Sequence, residues 1–510
     1  MSANLVTALQ QQLGARLIET HISWVLLDGR HAWKIKKPVH LSFLDFSSLA
    51  ERRRLCEVEL TLNRRLAPEL YLGVQPITGS EAAPVLGGAG EPIEYALCMQ
   101  QFAPGALLSE RLAAGTLRPA DLDRLAGRMA AFHRTAAVAP AGSGWGSPER
   151  IRQPLTVLLD GLMQHGHEAA CQVLRPWLQA EAERLHTTWL QRQADGWVIE
   201  GHGDLHLANA VVLGEDVTAF DCIEFDPALR WVDGLSDIAF MVMDLMAHGR
   251  SDLGWRFLNA YLDERGDHAG LPVLRYYLVY RALVRAVVAL LRGDQRGAQP
   301  EGPAQPPAPD YLGLALALTR RGQPRLMITH GVSGSGKTHV SQDLLAQAGA
   351  VRLRADVIRK QLAGLAPRDR AAPGVGQGLY GAEATRATYA RLRELGRSVL
   401  AAGYPLIVDA TFLNPADRAA FRQLAQEMGL PFHILHCQAP EPVLRARILA
   451  RQAQGQDASD ADLGVLAAQL QVGDGLLDEE RACTLTVDAS QPWSVSALAA
   501  SWLGQVPGEA

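Results

Sequence analysis

The residues best suited to chemistry follow a short apolar stretch in the C-terminal half. Leu326-Met-Ile328 predicts a buried strand, and the sequence GVSGSGKT follows at positions 331–338. The pattern G-x-x-x-x-G-K-[ST] is complete, and its glycines allow a tight turn that points successive N–H groups into one cavity. Because such a cavity suits a polyphosphate, the run predicts a phosphate-binding loop.

Each residue type in this loop has an expected role. Lys337 should reach the β- and γ-phosphates of a nucleotide, and the Thr338 hydroxyl should bind Mg²⁺. A helix expected from His339 onward would point its positive end at the bound anion. The predicted nucleotide-binding residues of the loop are Gly331, Val332, Ser333, Gly334, Ser335, Gly336, Lys337 and Thr338.

Polar residues follow two further strand candidates of this half. The run Ala350–Arg354 leads to Asp356 and Arg359, which are three residues apart and share one face of a helix. The run 405–413 contains Asp409, a candidate Mg²⁺ ligand or base. In an open α/β sheet the ligand binds beyond the carboxyl ends of the strands, so these residues should surround the phosphate loop.

A basic helix is predicted from Glu441, with a proline in its first turn. Arg447 and Arg451 are four residues apart and share a face, where they would clamp phosphates. The alternative is an ordinary solvated helix face.

A second group of polar residues lies in the N-terminal half. The sequence H-x-D-x-x-x-x-N contains His202, Asp204 and Asn209, and a strand candidate after it ends at Asp221. Phosphoryl transfer needs a carboxylate that accepts a proton from the acceptor hydroxyl, and oxygen ligands for Mg²⁺. Asp204 suits the first role, whereas Asn209 and Asp221 suit the second, in the order and spacing of a kinase catalytic loop.

A lysine pair precedes this group in the chain. Asp28-Gly29 predicts a hairpin, and Lys34 and Lys36 share one face of the returning strand. A helical run at 46–66 then carries Glu59. Kinase-like enzymes hold the α- and β-phosphates with a strand lysine and a helix glutamate, although a lysine beside a glutamate is also a common surface pair.

Composition limits the classes of protein. The chain has 510 residues, 48% hydrophobic and 20% charged residues and a net charge of −5, which predicts two or three ordinary globular domains. The acidic balance argues against a dedicated nucleic-acid binder. Six scattered cysteines, with no C-x-x-C pair, favour a reduced cytosol over a disulfide framework. With neither a signal peptide nor a membrane span evident, a cytoplasmic location is expected.

One composition shift divides the chain. Residues 293–309 are rich in proline, glycine and polar residues and predict a linker, with a domain boundary near residue 320. The run 311–318 is helix-like and is a candidate to pack back on the first domain. The predicted division is 1–292, a linker region at 293–322, and 323–510.

Residues from about 20 to 290 resemble the aminoglycoside phosphotransferase-like branch of the protein-kinase-like fold, which includes choline and homoserine kinases. The segments that carry the resemblance are 202–209, 220–224 and 231–239. It implies a bilobal kinase-like fold in which Lys34, or Lys36 as its substitute, binds phosphate and Glu59 is the ion-pair partner. It also implies that Asp237 caps and orders the catalytic region.

The sequence departs from that family in two places. No glycine-rich loop precedes the lysines. Residues 2–20 read as an amphipathic helix, so only one strand is predicted before the lysine strand, where the family usually has two.

Residues 323–505 resemble small P-loop kinases of the polynucleotide kinase, gluconate kinase, chloramphenicol phosphotransferase and zeta toxin group. The resemblance rests on the phosphate loop, Asp356-x-x-Arg359, Asp409 and the Arg447/Arg451 helix. It implies a three-layer α/β/α P-loop NTPase fold with a parallel sheet. In that group Asp356 would activate the acceptor hydroxyl, Arg359 would bind the acceptor or its phosphate, and the arginine helix would close over ATP.

The leading prediction is therefore a bifunctional cytoplasmic kinase that uses ATP and Mg²⁺ in both an α+β and an α/β domain. Its acceptors would be hydroxyl groups of small molecules whose identity the sequence leaves open. A second interpretation makes the N-terminal domain a regulatory or substrate-binding module. A third gives the P-loop domain a nucleic-acid 5′-hydroxyl as acceptor.

Overall fold

The computed structural model describes residues 3–41, 44–297, 309–369, 378–454, 458–472 and 475–504. The chain forms two compact units, one of residues 1–151 and 189–241 and the other of residues 152–188 and 242–510. The domain boundary near residue 320 stays a prediction. Residues 298–308 of the predicted linker lie outside the described residues.

The N-terminal 297 residues contain twelve strands and ten α-helices within the described ranges. The strands are β1 (Arg16–Glu19), β2 (Ser23–Leu27), β3 (His31–Lys36), β4 (His40–Leu41), β5 (Leu44–Asp45), β6 (Tyr71–Ser80), β7 (Ala83–Leu86), β8 (Glu94–Gln100), β9 (Val198–Glu200), β10 (Ala210–Leu213), β11 (Asp216–Ala219) and β12 (Trp231–Asp233). The helices are α1 (Ala3–Leu13), α2 (Leu49–Asn63), α3 (Leu108–Ala113), α4 (Pro119–Thr135), α5 (Pro148–Gln164), α6 (Glu168–Ala194), α7 (Pro227–Arg230), α8 (Gly234–Ala247), α9 (Ser251–Arg265) and α10 (Leu271–Gly297).

The described part of the remaining chain alternates strands and helices. Its strands are β13 (Leu326–His330), β14 (Val351–Arg354), β15 (Leu406–Asp409), β16 (Phe432–Gln438) and β17 (Thr484–Asp488). Its helices are α11 (Tyr311–Leu318), α12 (Lys337–Ala348), α13 (Ala355–Leu362), α14 (Ala382–Ala401), α15 (Pro415–Glu427), α16 (Glu441–Gln454), α17 (Leu463–Val472), α18 (Asp478–Arg481) and α19 (Val495–Leu503).

A six-stranded antiparallel sheet, in the order β1-β2-β3-β8-β6-β7, forms the first half of the first unit. Helix α1 packs its apolar residues Leu5, Val6 and Leu9 against Leu26 and Ile35 of the sheet. Helix α2 follows the lysine strand β3 and contacts β6 and β8. Helix α2, which carries Glu59, therefore packs on the sheet that contains the lysine strand.

The prediction of a single helix over residues 2–20 was wrong. Helix α1 ends at Leu13, and Gly14 follows with a φ of +58°, a conformation that commonly terminates helices. Arg16–Glu19 then form strand β1, which pairs antiparallel with β2. Two strands therefore precede the lysine strand, and the expectation of only one was also wrong.

The predicted hairpin at Asp28-Gly29 is confirmed. Asp28 Oδ1 accepts hydrogen bonds from the N–H groups of Arg30 at 2.8 Å and His31 at 2.6 Å. Strands β2 and β3 pair antiparallel with Leu27 opposite Ala32. This register places Lys34 and Lys36 on the same face of β3, as their spacing predicts.

The C-terminal sheet is parallel throughout, in the order β14-β15-β13-β16-β17. Every residue of β13 and β15 is buried, which explains their continuous apolar sequences. Helices α12 and α19 contact each other, as do α14 and α15, and the sheet packs against α12, α14 and α15. A parallel sheet with the phosphate loop directly after its central strand fits a P-loop NTPase.

Helix α11 forms where the sequence predicted it. Its first residue, Tyr311, donates from Oη to Asp244 Oδ1 at 2.7 Å, and α11 contacts α10. The helix thus packs against helices that precede the linker in sequence. None of the helices in the described ranges is both long enough and apolar enough to cross a lipid bilayer.

Candidate active sites

The phosphate loop turns at three glycines that no other residue could replace without strain. Gly331, Gly334 and Gly336 have φ values of +141°, +83° and +94°. A Cβ at Gly331 would lie 2.4 Å from Cys437 O, and one at Gly334 would lie 2.8 Å from Leu444 O. Close backbone packing and positive φ therefore both require glycine, and they shape the loop for an anion.

The side chains of the loop fit a nucleotide phosphate. Lys337 is 8% exposed and donates to Val332 O at 2.8 Å. Burial lowers the pKa of Lys337, and the charges of Asp409 and Asp356 oppose this shift. Ser335 Oγ is buried without a hydrogen-bond partner. A bound polyphosphate would supply both the counter-charge and the acceptor that these two groups lack.

Asp409 lies beside the loop at the carboxyl end of β15. It is 6% exposed, and Thr329 Oγ1 of the neighbouring strand β13 lies 3.5 Å from its Oδ1. Thr338, at the start of α12, is half-buried. A carboxylate and a hydroxyl next to a phosphate loop suit Mg²⁺, which takes few protein ligands and shares phosphate oxygens. In the described residues no three His, Cys, Asp or Glu side chains cluster to hold a metal by themselves.

The predicted acceptor-side residues come together on α13. Arg359 Nη1 lies 3.1 Å from Asp356 Oδ1, and the guanidinium lies 4.9 Å from the centre of the Tyr380 ring. Arg359 Nε is buried without a hydrogen-bond partner. The Tyr380 hydroxyl donates to Asp460 Oδ2 at 2.8 Å. Tyr380 and Asp460 were not predicted, because neither belongs to a local pattern.

The structure places Arg447 and Arg451, the two arginines predicted to clamp phosphates, against backbone carbonyls. Arg447 donates to Gly334 O at 3.3 Å and to Ala489 O at 2.6 Å, whereas Arg451 donates to Ala461 O at 2.8 Å. Arg447 therefore touches the phosphate loop itself, and the charge of Arg451 contributes to lowering the pKa of Lys337. Contact with nucleotide stays a prediction for both arginines.

Gln469 on α17 is a further residue of this site that sequence reasoning missed. Its Oε1 accepts a hydrogen bond from Ser333 N–H of the phosphate loop at 2.7 Å. A glutamine in a mostly apolar helix carries no sequence signal, so only the packing of α17 shows the contact.

A second site lies in the first unit, around the lysine pair on β3. Lys34 Nζ lies 2.7 Å from Glu59 Oε1 and 2.6 Å from Asp221 Oδ1. Burial opposes the charged form of Lys34, but Asp221 and Glu59 outweigh it and raise the pKa well above its ordinary value. The pairing of a strand lysine with a helix glutamate is one that kinases also use, and the contact with Asp221 brings the predicted metal ligand to the same lysine.

Lys36 occupies a different place in the same network. Its Nζ lies 2.6 Å from Glu59 Oε2 and also pairs with Glu224, and its side chain is 1% exposed. Lys34 is the more accessible lysine and the one that contacts Asp221. Lys34 therefore stays the predicted phosphate lysine, and Lys36 contacts the other carboxylate oxygen of Glu59.

Asp221 is held in an unusual backbone conformation. Its φ is +61°, which costs a non-glycine residue about 1–2 kcal/mol. Its N–H donates to Tyr71 Oη at 3.0 Å, and the next N–H, of Cys222, donates to Asn63 Oδ1 at 2.9 Å. Asn63 and Tyr71 thus fix the segment that contains Asp221 to helix α2 and strand β6.

The residues of the predicted catalytic loop also lie close together. Asn209 Nδ2 donates to Asp204 Oδ2 at 2.9 Å, and His206 Nε2 lies 3.4 Å from the same oxygen. His202 Nε2 lies 2.9 Å from Phe220 O, which joins the loop to the segment containing Asp221. A hydrogen bond therefore joins Asp204 to Asn209, and the contact with Phe220 holds their loop beside the segment that contains Asp221.

Asp237 lies beneath this loop and accepts three hydrogen bonds. His202 N–H donates to its Oδ2 at 2.7 Å and Gly203 N–H to its Oδ1 at 2.9 Å, while His133 Nε2 lies 3.1 Å from Oδ2. Burial opposes the ionised carboxylate, but His133 and His202 outweigh burial and keep the pKa of Asp237 well below its usual range. The geometry agrees with the capping role that the resemblance implies.

Replacing Asp237 by asparagine should destabilise the first unit by roughly 3 kcal/mol, because an amide N–H would face the N–H donors of the loop. Urea unfolding of the full chain, followed by hydrogen exchange of residues 200–210, would measure the loss. Glu215→Gln, at a side chain that is 87% exposed, is the control and should change stability by less than about 0.5 kcal/mol. An Asp237→Asn effect as small as that of the control would contradict the capping role.

A model of a known family matches part of the second half of the chain. Residues 326–476 match the family model described as an AAA domain. This range contains the phosphate loop and the strand that ends at Asp409, and the parallel sheet around them has the order expected of a P-loop NTPase.

A relative spans nearly the whole chain. The uncharacterized protein Rv2004c of Mycobacterium tuberculosis is 30% identical over 460 residues, which cover 88% of this chain and 89% of that protein. The chain belongs to the same family as this mycobacterial protein. An alignment of this length includes residues from both halves of this chain.

Solved structures resemble parts of the chain. A sugar kinase from Janibacter sp. HTCC2649 is 23% identical with a TM-score of 0.28, and the match covers 36% of this chain and 96% of that chain. A choline kinase from Cryptosporidium parvum Iowa II is 10% identical with a TM-score of 0.36, and the match covers 60% of this chain and 86% of that chain.

Proposed function

We propose that the chain is an ATP-dependent phosphotransferase whose phosphate-loop site transfers the γ-phosphate of ATP to a hydroxyl group of a small molecule. The main supporting observation is the charge arrangement around Lys337. Burial lowers the pKa of this lysine, the charges of Asp409 and Asp356 oppose that shift and the charge of Arg451 adds to it, so the candidate metal, acceptor and arginine-helix groups lie within electrostatic range of Lys337. A site that only hydrolysed ATP to move a domain would have no need of the acceptor-side pair Asp356 and Arg359.

Each residue of the phosphate-loop site would have its own role in the reaction. Lys337 would leave Val332 O and stabilise the charge on the transferring phosphoryl group. Asp356 would accept the proton as the acceptor oxygen bonds to the γ-phosphorus and the bond to the β-phosphate oxygen breaks, releasing ADP. Arg359, which is paired with Asp356 and lies over the Tyr380 ring, would orient the acceptor. Thr338 and Asp409 would hold Mg²⁺, which neutralises phosphate charge.

The N-terminal site is proposed as a second phosphotransferase site. The contacts of Lys34 with Glu59 and Asp221 join the groups that a kinase must bring together before it can transfer phosphate. Asp204 would be the proton acceptor, and Asn209 and Asp221 would hold Mg²⁺. Two hydroxyl acceptors, one for each site, are then expected.

One observation favours a regulatory role for the N-terminal site instead. Thr20, His21 and Ile22 form the turn between β1 and β2, where a kinase has glycines that cover the phosphates. Thr20 Oγ1 accepts the N–H of Ser23 at 3.0 Å, which closes the turn. Without a glycine-rich loop over the phosphates, the site would leave a bound nucleotide more exposed to solvent. Such a site would suit a domain that senses nucleotide rather than one that transfers phosphate.

The proposed acceptor role of Asp356 is testable by a screen of hydroxyl-bearing metabolites with ATP labelled in the γ-phosphate. With any acceptor that depends on the phosphate loop, Asp356→Asn should lower transfer roughly 100-fold or more, because the proton acceptor is lost. ATP affinity should stay within about threefold, since Asp356 is hydrogen-bonded to Arg359 on the acceptor side. The measurements are label transfer and ATP binding by calorimetry.

Asp478→Asn is the control for this experiment, because Asp478 lies on the surface with a side chain that is 98% exposed. It should transfer label at the wild-type rate. Undiminished transfer in Asp356→Asn would rule out Asp356 as the proton acceptor. Failure of every hydroxyl compound, with transfer only to oligonucleotide 5′ ends, would favour the nucleic-acid alternative.

A further inference from the structure

Helix α9 lies along the outer edge of the C-terminal sheet, although it precedes the linker in sequence. Strand β14 is an edge strand of that sheet in the described residues, so backbone groups on its outer side need other partners. The Asn259 side chain supplies them. Its Nδ2 donates to Ala350 O at 3.0 Å, and Arg352 N–H donates to its Oδ1 at 2.7 Å. The buried amide thus pairs with the edge as a strand residue would.

Asp263, one helical turn after Asn259, faces the same edge. Its Oδ2 lies 3.7 Å from Arg352 Nη2 and 3.7 Å from Arg354 Nη1. These arginines are two residues apart on β14, so their side chains leave the same face of the strand. Both are largely buried, where two like charges repel strongly. The carboxylate of Asp263 lies within reach of both and offsets this repulsion.

Arg352 links Asp263 to the phosphate loop through its own hydrogen bonds. Its Nη1 donates to Thr338 O at 3.0 Å, and its Nη2 donates to Gln342 Oε1 at 2.7 Å. Thr338 is the last residue of the loop and the predicted Mg²⁺ ligand. A buried series of contacts therefore runs from Asp263 on α9, through Arg352, to the start of α12.

Arg354 links Asp263 to the acceptor side of the site. It ends β14, lies opposite Asp409 in the parallel register of β14 and β15, and directly precedes helix α13 with Asp356. Burial raises the pKa of Asp263, the charges of Arg354 and Arg352 oppose the rise, and that of Asp409 adds to it. Asp263 Oδ1 is buried without a hydrogen-bond partner. The carboxylate is thus within electrostatic range of the candidate metal ligand.

We propose that Asp263 is a positioning residue of the phosphate-loop site and that helix α9 is an integral part of that site. By pairing with Arg352 and Arg354, Asp263 sets the position of Thr338 relative to the start of α13. The proposal rests on the proposed function of the phosphate loop. It assigns to that site a residue that lies some 70 residues before the loop in sequence and acts only through other residues.

The test compares Asp263→Asn with wild type in the full-length chain, using the ATP binding that depends on Lys337 and the kcat and KM for ATP. We expect ATP affinity to fall about tenfold and kcat to fall with it, at a temperature where circular dichroism shows the variant folded. Asp263→Glu keeps the charge and should recover most of the affinity. A purely structural loss would not be restored in kcat and KM by the conservative variant.

The matched control is Asp252→Asn. Asp252 is on the same helix, but its partner is Arg250 and its side chain is 38% exposed. This variant should keep ATP affinity within about twofold of wild type. If it weakened ATP binding as much as Asp263→Asn, a general effect of α9 charge would replace the proposed role.

A second variant keeps the test decisive if Asp263→Asn does not fold. Arg352→Lys preserves the charge beside Asp263 but loses the paired contacts to Thr338 and Gln342, so ATP affinity should fall here as well. Wild-type affinity in folded Asp263→Asn or in Arg352→Lys would overturn the proposal. Failure of the proposed function itself looks different, because Lys337→Ala would then leave ATP binding and turnover unchanged.

Discussion

Lys337→Ala should lower Mg-ATP turnover at the phosphate loop by roughly 100-fold to 1,000-fold, the loss that follows removal of one preorganised group from a developing negative charge. Lys337 is buried and donates to a loop carbonyl, so alanine removes a charge that the protein holds partly desolvated beside the phosphate site. Burial already lowers the pKa of Lys337, and bound phosphate would compensate for that cost. Without the lysine, the loop N–H groups would bind phosphate alone.

The measurement is ADP release by the full chain, together with calorimetric ATP binding. The control is Lys37→Ala, because Lys37 forms an ion pair with the exposed carboxylate of Glu19 on the N-terminal sheet. That variant should keep both turnover and stability. Wild-type ADP release in folded Lys337→Ala would remove the phosphate loop from the reaction and leave the N-terminal site as the source of all turnover.

Asp204→Asn should abolish the remaining turnover if the N-terminal site transfers phosphate. Removing a general base costs roughly 100-fold to 10,000-fold, and asparagine preserves the size of the side chain and its contact with Asn209. The variant should therefore fold normally and bind ATP as wild type does. The expected result is that Lys337→Ala and Asp204→Asn each remove a separate part of the turnover and that the double variant has none.

Asp216→Asn is the control for this prediction. Asp216 lies on β11 of the same unit, and its exposed side chain is 3.7 Å from Arg128. It should leave turnover unchanged. If Asp204→Asn also left turnover unchanged while the N-terminal unit still bound ATP, the regulatory interpretation of that unit would replace the second phosphotransferase site.

These experiments need the full chain, because the second compact unit includes residues on both sides of the predicted linker. A fragment that began at residue 323 would lose Asn259, which pairs with the edge strand β14, and Asp263, which offsets two arginines of that strand. The loss of activity in such a fragment would therefore say little about the phosphate loop itself.

The sequence by itself determined the two groups of residues that are contiguous or nearly so. A phosphate loop is encoded by glycine conformations, one lysine and one hydroxyl within eight residues, and its strand and helix follow from local apolar patterns. The cluster of Asp204, Asn209 and Asp221 was likewise predicted by spacing. Such motifs can be predicted from sequence because their geometry depends on the backbone of one short segment.

Tertiary structure alone decided what depends on contacts between distant segments. The period of a strand places Lys34 and Lys36 on one face, but their roles differ because Asp221 and Glu224, nearly 190 residues away, pair with different lysines. Strand β1 was mistaken for helix because pairing with β2 outweighed a weak local pattern. Asp263 carries no motif at all, and its place beside the phosphate-loop site follows only from the packing of α9 on an edge strand, which no local sequence pattern encodes.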